Sequence, residues 1–156
     1  MPTTAGARIA RKVARAPVGL FRAGYGWLFG ERLLMLQHTG RRSGQPRLVV
    51  LEVVIHPSRD RYVVAAGRGE ATDWYRNVRR APRVRVWVGR MRAAPGSARP
   101  LDPDEARTHL MAYRARHPRT WQALTPVISR LIRRPGLTDE ELFTTVPLVE
   151  LVLDES

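Results

Sequence analysis

Arg41, Arg42, Ser43 and Arg47 fall within seven residues of one another, around the glycines Gly40 and Gly44. Three guanidinium groups, a hydroxyl and backbone N–H groups on one turn can surround a phosphate or a carboxylate, because glycine lets the backbone approach an anion closely. A solvated arginine-rich hairpin is the competing reading, and the turn alone does not separate the two. Further along, Trp74, Tyr75 and Asn77 stand beside Arg76, Arg79 and Arg80. An aromatic pair close to a glycine loop can cover a planar ring, or it can fill a core.

Several other chemistries lack their residues. There is no cysteine, which removes disulfides and thiolate nucleophiles. The four histidines, His38, His56, His109 and His117, make no HExxH or other ligand spacing, so no metal site is expected. No serine sits in GxSxG, so acyl transfer has no nucleophile elbow. The stretch Gly67-Arg68-Gly69-Glu70-Ala71-Thr72 lies between an expected strand and an expected helix, as a dinucleotide fingerprint does. It fails at Thr72, which stands where the fingerprint needs glycine or alanine for close helix packing.

The charge is unevenly spread along the 156 residues. Residues 1–92 hold 19 basic and 5 acidic groups, and residues 93–156 hold 8 and 9, so a net +13 is concentrated in the first part. A cationic field of that kind attracts phosphates, anionic lipid or an acidic cofactor. Nucleic acid ranks last among these partners, since no helix-turn-helix, ribonucleoprotein aromatic motif or zinc finger accompanies the arginines. The longest stretch free of charged residues, Thr120 to Ser129, is ten residues and too short to span a bilayer. The N-terminus shows no secretory signal, so a cytoplasmic location is expected, with peripheral contact at the inner face of the membrane as its extension.

The elements that must position these residues are read from periodicity. Arg8, Arg11, Lys12 and Arg15 share one helical face, opposite Ile9, Ala10, Val13 and Ala14. Beyond Pro17 a bulky set follows, from Val18 and Leu20 through Tyr25, Trp27, Leu28 and Phe29. Residues 1–30 are therefore expected to form an amphipathic helical arm, either resting on an anionic membrane or packed on the domain as a brace. Residues 31–156 form the domain. Strands are expected over Leu33 to Gln37, Arg47 to His56, Tyr62 to Ala66, the strictly alternating Arg83 to Val88, and Val146 to Leu153. The run Pro57-Ser58-Arg59-Asp60 predicts a hairpin turn. Helices are expected over Thr72 to Arg80 with Thr72 as cap, from Asp102 to about His117 with Asp102-Pro103-Asp104-Glu105 as its start, and over Trp121 to Arg133. Thr138 and Glu141 fit a capping box. The fold class is α+β, an antiparallel barrel with flanking helices rather than a doubly wound sheet.

In this order the pieces resemble a known family. Leu36-Gln37-His38-Thr39-Gly40-Arg41-Arg42-Ser43-Gly44-Gln45-Pro46-Arg47, then Tyr62-Val63-Val64-Ala65-Ala66-Gly67, then Trp74-Tyr75-Arg76-Asn77 and Ala81-Pro82-Arg83-Val84, are similar to the deazaflavin-dependent nitroreductase family of actinobacteria. The similarity runs from about Leu33 to Leu101. It implies a split β-barrel of the FMN-binding-like kind whose cofactor is coenzyme F-420, with FMN second to it. By resemblance, Arg41, Arg42, Ser43 and Arg47 hold the phosphate and acidic tail of the cofactor. Gln45, Pro46 and the backbone of Leu48, Val49 and Val50 line its channel. Ala65, Ala66, Gly67 and Arg68 meet the deazaflavin ring, and Trp74, Tyr75 and Asn77 close the site.

The implied activity is hydride transfer from reduced F-420 to a hydrophobic acceptor such as a quinone or a nitro compound, with the cofactor carrying the chemistry. His117 or Tyr113 could supply a proton, and each is equally a packing or surface residue. The alternative is a non-catalytic binder of the deazaflavin or of a fatty acid. Three departures bear on the choice. The tyrosine-rich segment of nitroimidazole-reducing members is replaced by Arg116-His117-Pro118-Arg119-Thr120-Trp121-Gln122, a serine common at the ring is Gly67, and a proline that commonly follows the motif strand is Val50. Oligomeric state is left open.

Overall fold

The computed structural model describes residues 18–66, 69–123, 138, 141 and 146–155. Six strands close into a barrel in the order β1-β2-β3-β6-β5-β4. They are β1 Leu33–Thr39, β2 Pro46–Ser58, β3 Arg61–Ala65, β4 Arg83–Val88, β5 Met91–Pro100 and β6 Leu148–Leu153. Every neighbouring pair is antiparallel. Among the described residues, α1 Asp73–Arg80 and α2 Pro103–Arg116 flank it. This is the expected split-barrel architecture.

The barrel interior follows from alternation. Leu34 and Leu36 on β1, Tyr62 and Val64 on β3, Val84, Val86 and Val88 on β4, and Val149, Leu151 and Leu153 on β6 meet in one buried cluster. Because successive strand residues face opposite sides, the intervening positions either meet solvent or a second layer. On β3 and β6 they meet the second layer: Val63 and Leu148 pack with Leu101, Ala106, Leu110, Trp121 and Val146 beneath α2. The outer faces of those two strands are thus partly buried as well, and there the buried Glu150 on β6 is paired with Arg61 at 3.2 Å and Arg99 at 3.1 Å.

The start of α2 is as the sequence predicts, with the Asp102 carboxylate accepting from the Glu105 N–H at 2.9 Å and proline in its first turn. Thr138 and Glu141 likewise form a reciprocal box, the Thr138 N–H donating to the Glu141 carboxylate at 2.8 Å and the Glu141 N–H to the Thr138 hydroxyl at 3.3 Å.

Thr72 differs from expectation. It occupies the N-cap of α1 but makes no side-chain cap bond, because its hydroxyl donates back to the Gly69 carbonyl at 2.7 Å. Strand β2 takes in Pro46, Pro57 and Ser58 beyond its expected ends, and shifts of register at Val53/Ile55 and Ile55/Ser58 absorb the irregular run. This shortens the hairpin turn to Arg59 and Asp60.

Strand β5 was not expected from the sequence. Its residues, MRAAPGSARP, contain no β-branched side chain and carry Pro95, Gly96 and a left-handed Ala93 at φ 54°. Its neighbours hold it in place. Gly96 lies across from Leu153, and a Cβ there would stand 2.5 Å from the Val152 carbonyl oxygen, so β5 and β6 approach as closely as they do only because that position is glycine.

Of the expected N-terminal arm, residues 1–17 lie outside the described residues. Residues 18–22 are helical and Gly26–Phe29 form a short 3-10 turn. Phe21 is buried and stacks on Phe29 with ring centres 5.5 Å apart, whereas Leu20, Tyr25, Trp27 and Leu28 are exposed. The aromatic set thus divides between brace and open surface. Of the helix expected over Trp121 to Arg133, residues 121–123 are helical and 124–133 lie outside the described residues. Among the described residues no helix is long and apolar enough to cross a membrane.

Candidate functional site

The turn between β1 and β2 is closed by its own backbone. The Gly40 N–H donates to the Gln45 carbonyl at 2.9 Å, and the Gly44 N–H to the Gly40 carbonyl at 2.8 Å. Gly44 supplies the left-handed step at φ 69°. The Ser43 hydroxyl accepts from the Gln45 N–H at 3.2 Å. A Cβ at Gly40 would stand 2.6 Å from the Ser43 hydroxyl and 3.2 Å from the Arg47 Nε, so the bare glycine is what lets the turn fold over itself.

This turn and α1 enclose a pocket of about 290 Å³ lined by His38, Gly40, Arg41, Arg42, Ser43, Arg47, Asp73 and Asn77. Arg41 is tied to α1: its N–H and its Nη1 both donate to Asn77 Oδ1, at 3.1 and 2.9 Å, and its Nη2 meets Asp73 at 3.2 Å. Asn77 is buried and its amide nitrogen lies 3.1 Å from the Nδ1 of His38, which is buried too. Burial, and then the neighbouring Arg47 charge, lower the His38 pKa to about 4, against a smaller opposing pull from Asp73. Arg42 and Arg47 carry no ion pair among the described residues. The pocket therefore presents two guanidinium groups without counter-charge among the described residues and a third held in place by α1.

The expected site residues divide in three. Arg41, Arg42, Ser43, Arg47 and Asn77 come together in this pocket. Gln45 and Pro46 are exposed on its rim, and Leu48, Val49 and Val50 follow half-buried along β2. Ala65 and Ala66 end β3, where the Ala66 N–H donates to the Pro147 carbonyl at 2.9 Å. Gly67 and Arg68 lie outside the described residues. Trp74 and Tyr75 are packed into the barrel core, edge to face at 6.3 Å. Tyr113 and His117 lie against each other at and just beyond the end of α2, with ring centres 5.1 Å apart, and neither lines the pocket.

Two residues of the pocket were not singled out from sequence as part of it: His38 and Asp73. His38 continues the inward row of Leu34 and Leu36 on β1, so its place at the barrel mouth follows from strand alternation. Asp73 sits in the first turn of α1, where a carboxylate suits the helix dipole, and it reaches Arg41 from there. Among the described residues no group of three or more histidines or carboxylates could hold a metal ion.

A cofactor with a phosphate and an acidic tail matches this donor set. Arg42 and Arg47 lack counter-charges, and Asp73, the single carboxylate in the lining, is engaged by Arg41.

Comparison with known proteins places the chain. The sequence profile of the F-420H(2)-dependent quinone reductase family matches residues 6–131. No curated protein matches the sequence. Among solved structures, a chain described as a domain-swapped dimer superposes with a TM-score of 0.55 at 21% identity, over 91% of this chain and 98% of that one. A protein of unknown function from Agrobacterium tumefaciens gives 0.53 at 22% identity, over 90% of this chain and 56% of its own. A reductase dependent on reduced F-420 gives 0.51 at 22% identity, over 78% and 95%. These likenesses show a shared barrel fold. The profile match, spanning most of the barrel and the whole anion pocket, shows that the chain belongs to the F-420H(2)-dependent quinone reductase family, as an oxidoreductase whose cofactor is the deazaflavin coenzyme F-420.

Proposed function

We propose that this protein reduces a quinone with coenzyme F-420, and that the pocket at the β1–β2 turn holds the cofactor's anionic tail. The observation that carries the reading is that Arg42 and Arg47, both without counter-charge among the described residues, line one pocket. When bound, reduced F-420 supplies a hydride, and one further proton completes conversion of a quinone to its quinol. The chain's part is positioning. Arg41, braced by Asn77 and Asp73, forms a fixed wall of the pocket, and Arg42 and Arg47 bind the tail from the open side. Gln45, Pro46 and the Leu48 to Val50 segment run from that pocket along β2, and Ala65 and Ala66 close and follow β3, the next strand of the barrel.

Peripheral contact with an anionic membrane is the second part of the proposal. Leu20, Tyr25, Trp27 and Leu28 are exposed, and Met91 and the arginines Arg22, Arg90 and Arg92 are exposed too. Aromatic and aliphatic groups among cations suit the interface of an anionic bilayer. This patch adjoins the Leu33 end of β1, since the Gly89 N–H donates to the Gly30 carbonyl there, whereas the pocket lies at the Thr39 end. Membrane contact would then orient the protein rather than line its cofactor pocket.

The test is anaerobic oxidation of reduced F-420 by the full chain with a short-tailed menaquinone analogue, followed by the recovery of oxidised-cofactor absorbance. Turnover that requires both quinone and protein is expected, with a nitroimidazole as the comparison acceptor. Saturable cofactor binding with no oxidation by either acceptor would overturn the catalytic reading in favour of a deazaflavin carrier.

A further inference from the structure

Behind the anion pocket, one amide links an imidazole to an arginine. Arg41 turns two donors, its backbone N–H and Nη1, toward Asn77 Oδ1. Neither can accept a hydrogen bond, so the Asn77 amide has one orientation, with its NH2 facing His38 Nδ1 at 3.1 Å. A donor facing Nδ1 requires that nitrogen to be unprotonated, which leaves a neutral ring with its proton on Nε2. A charged imidazole would set N–H against NH2. The amide would then have to turn over, and its NH2 would face both Arg41 donors.

We propose that His38 is the positioning residue of the anion pocket: as a neutral acceptor it locks the Asn77 amide, and through that amide it fixes the Arg41 guanidinium for an anionic ligand. The inference deepens the proposed cofactor site and rests on that reading for its ligand, but the tautomer and the amide orientation can be read without cofactor. Burial and Arg47 favour the neutral ring. The charged groups facing it are Arg47 from β2, Asp73 from α1, and Arg41 and Arg42 from the turn. Of these, Asp73 is the one carboxylate, so Asp73→Asn is the control background.

Long-range nitrogen–proton NMR of the full-length protein at pH 7 reads the tautomer directly. Titration with oxidised F-420, and with sulfate as an anion of constant charge, between pH 7.5 and 4.5 reads the coupling. We expect the Nε2–H tautomer, and about tenfold weaker F-420 binding in His38→Leu. We also expect Arg41→Ala to add little in the His38→Leu background, because both act on one unit. His38→Asn, whose Oδ1 can stand where Nδ1 was, should bind within about twofold of wild type. It should also lose the weakening that wild type shows for sulfate as pH falls.

An Nδ1–H or charged ring at pH 7, additive effects of His38→Leu and Arg41→Ala, or His38→Asn binding as weakly as His38→Leu would overturn the proposal. If His38→Leu does not fold, the tautomer and His38→Asn decide. Failure of wild type to bind F-420, with the expected tautomer and sulfate response, would overturn the cofactor assignment and leave the positioning role standing.

Discussion

At the Thr39 end of β1, polar side chains are buried and matched: His38 and Asn77 are 5% and 3% exposed, and each has its partner. At the Leu33 end, six strand steps or about 20 Å away, the reverse holds, and Tyr25, Trp27 and Leu28 are 52%, 52% and 57% exposed. Burying a polar group is costly unless its hydrogen bonds are made, so the first end spends folding stability to hold donors and acceptors in fixed places. The second end leaves apolar surface unused by the fold, with Phe21 alone of the large side chains of residues 18–30 well buried. The contrast separates a polar cluster whose donors and acceptors are fixed by the fold from an apolar surface the fold leaves open.

The sharpest break of that contrast is Asn77→Leu. It strips the acceptor from two Arg41 donors and the donor from His38. Urea denaturation should show a loss of about 3 kcal/mol, the cost of stranding buried polar groups.

Next in size is a pH effect confined to the same end. The folded state holds the His38 pKa at about 4, below its ordinary 6.5. The unfolded chain therefore binds the extra proton first, so this contribution is complete above pH 6.5 and declines as pH falls toward 4. It amounts to about 3 kcal/mol, comparable with the Asn77→Leu effect. Urea melts between pH 7.5 and 4 should show the decline in wild type and a flatter profile in His38→Asn.

Arg47→Ala should then weaken F-420 binding about tenfold, as loss of one charge-assisted contact implies. Because Arg47 is exposed and unpaired among the described residues, its melting temperature should stay near that of wild type.

The smallest stability effect belongs to the other end. Trp27→Ser with Leu28→Ser should change unfolding free energy by less than about 0.5 kcal/mol. The same pair should abolish flotation with anionic vesicles. Unchanged flotation would remove membrane contact from the functional reading.

Much of this architecture is legible in the sequence where one local rule dominates. Val84, Val86 and Val88 alternate without interruption, and the observed β4 has the expected bounds and buried face. Asp102 and Glu105 specify the start of α2 by a cap that needs no tertiary partner. The turn between β1 and β2 is legible as a tight glycine turn because Gly40 and Gly44 mark its backbone demands directly.

Where neighbours decide, the residues are silent. Strand β5 has weak strand preference and is held from both sides by β4 and β6. Trp74 and Tyr75 read equally as ring cover or core until their position against the barrel is seen. His38, considered from sequence only as a metal ligand, gains its role from Asn77, which is 39 positions away in the chain.

The most direct measurement is a fluorescence titration of the purified protein with oxidised F-420 and, separately, with FMN, repeated with Arg41→Ala and Arg47→Ala. Saturable F-420 binding, weaker in both variants and absent with FMN, is expected if the β1–β2 turn holds the acidic tail. Equal affinity of the variants and wild type for F-420 would contradict that assignment and leave the turn a solvated hairpin.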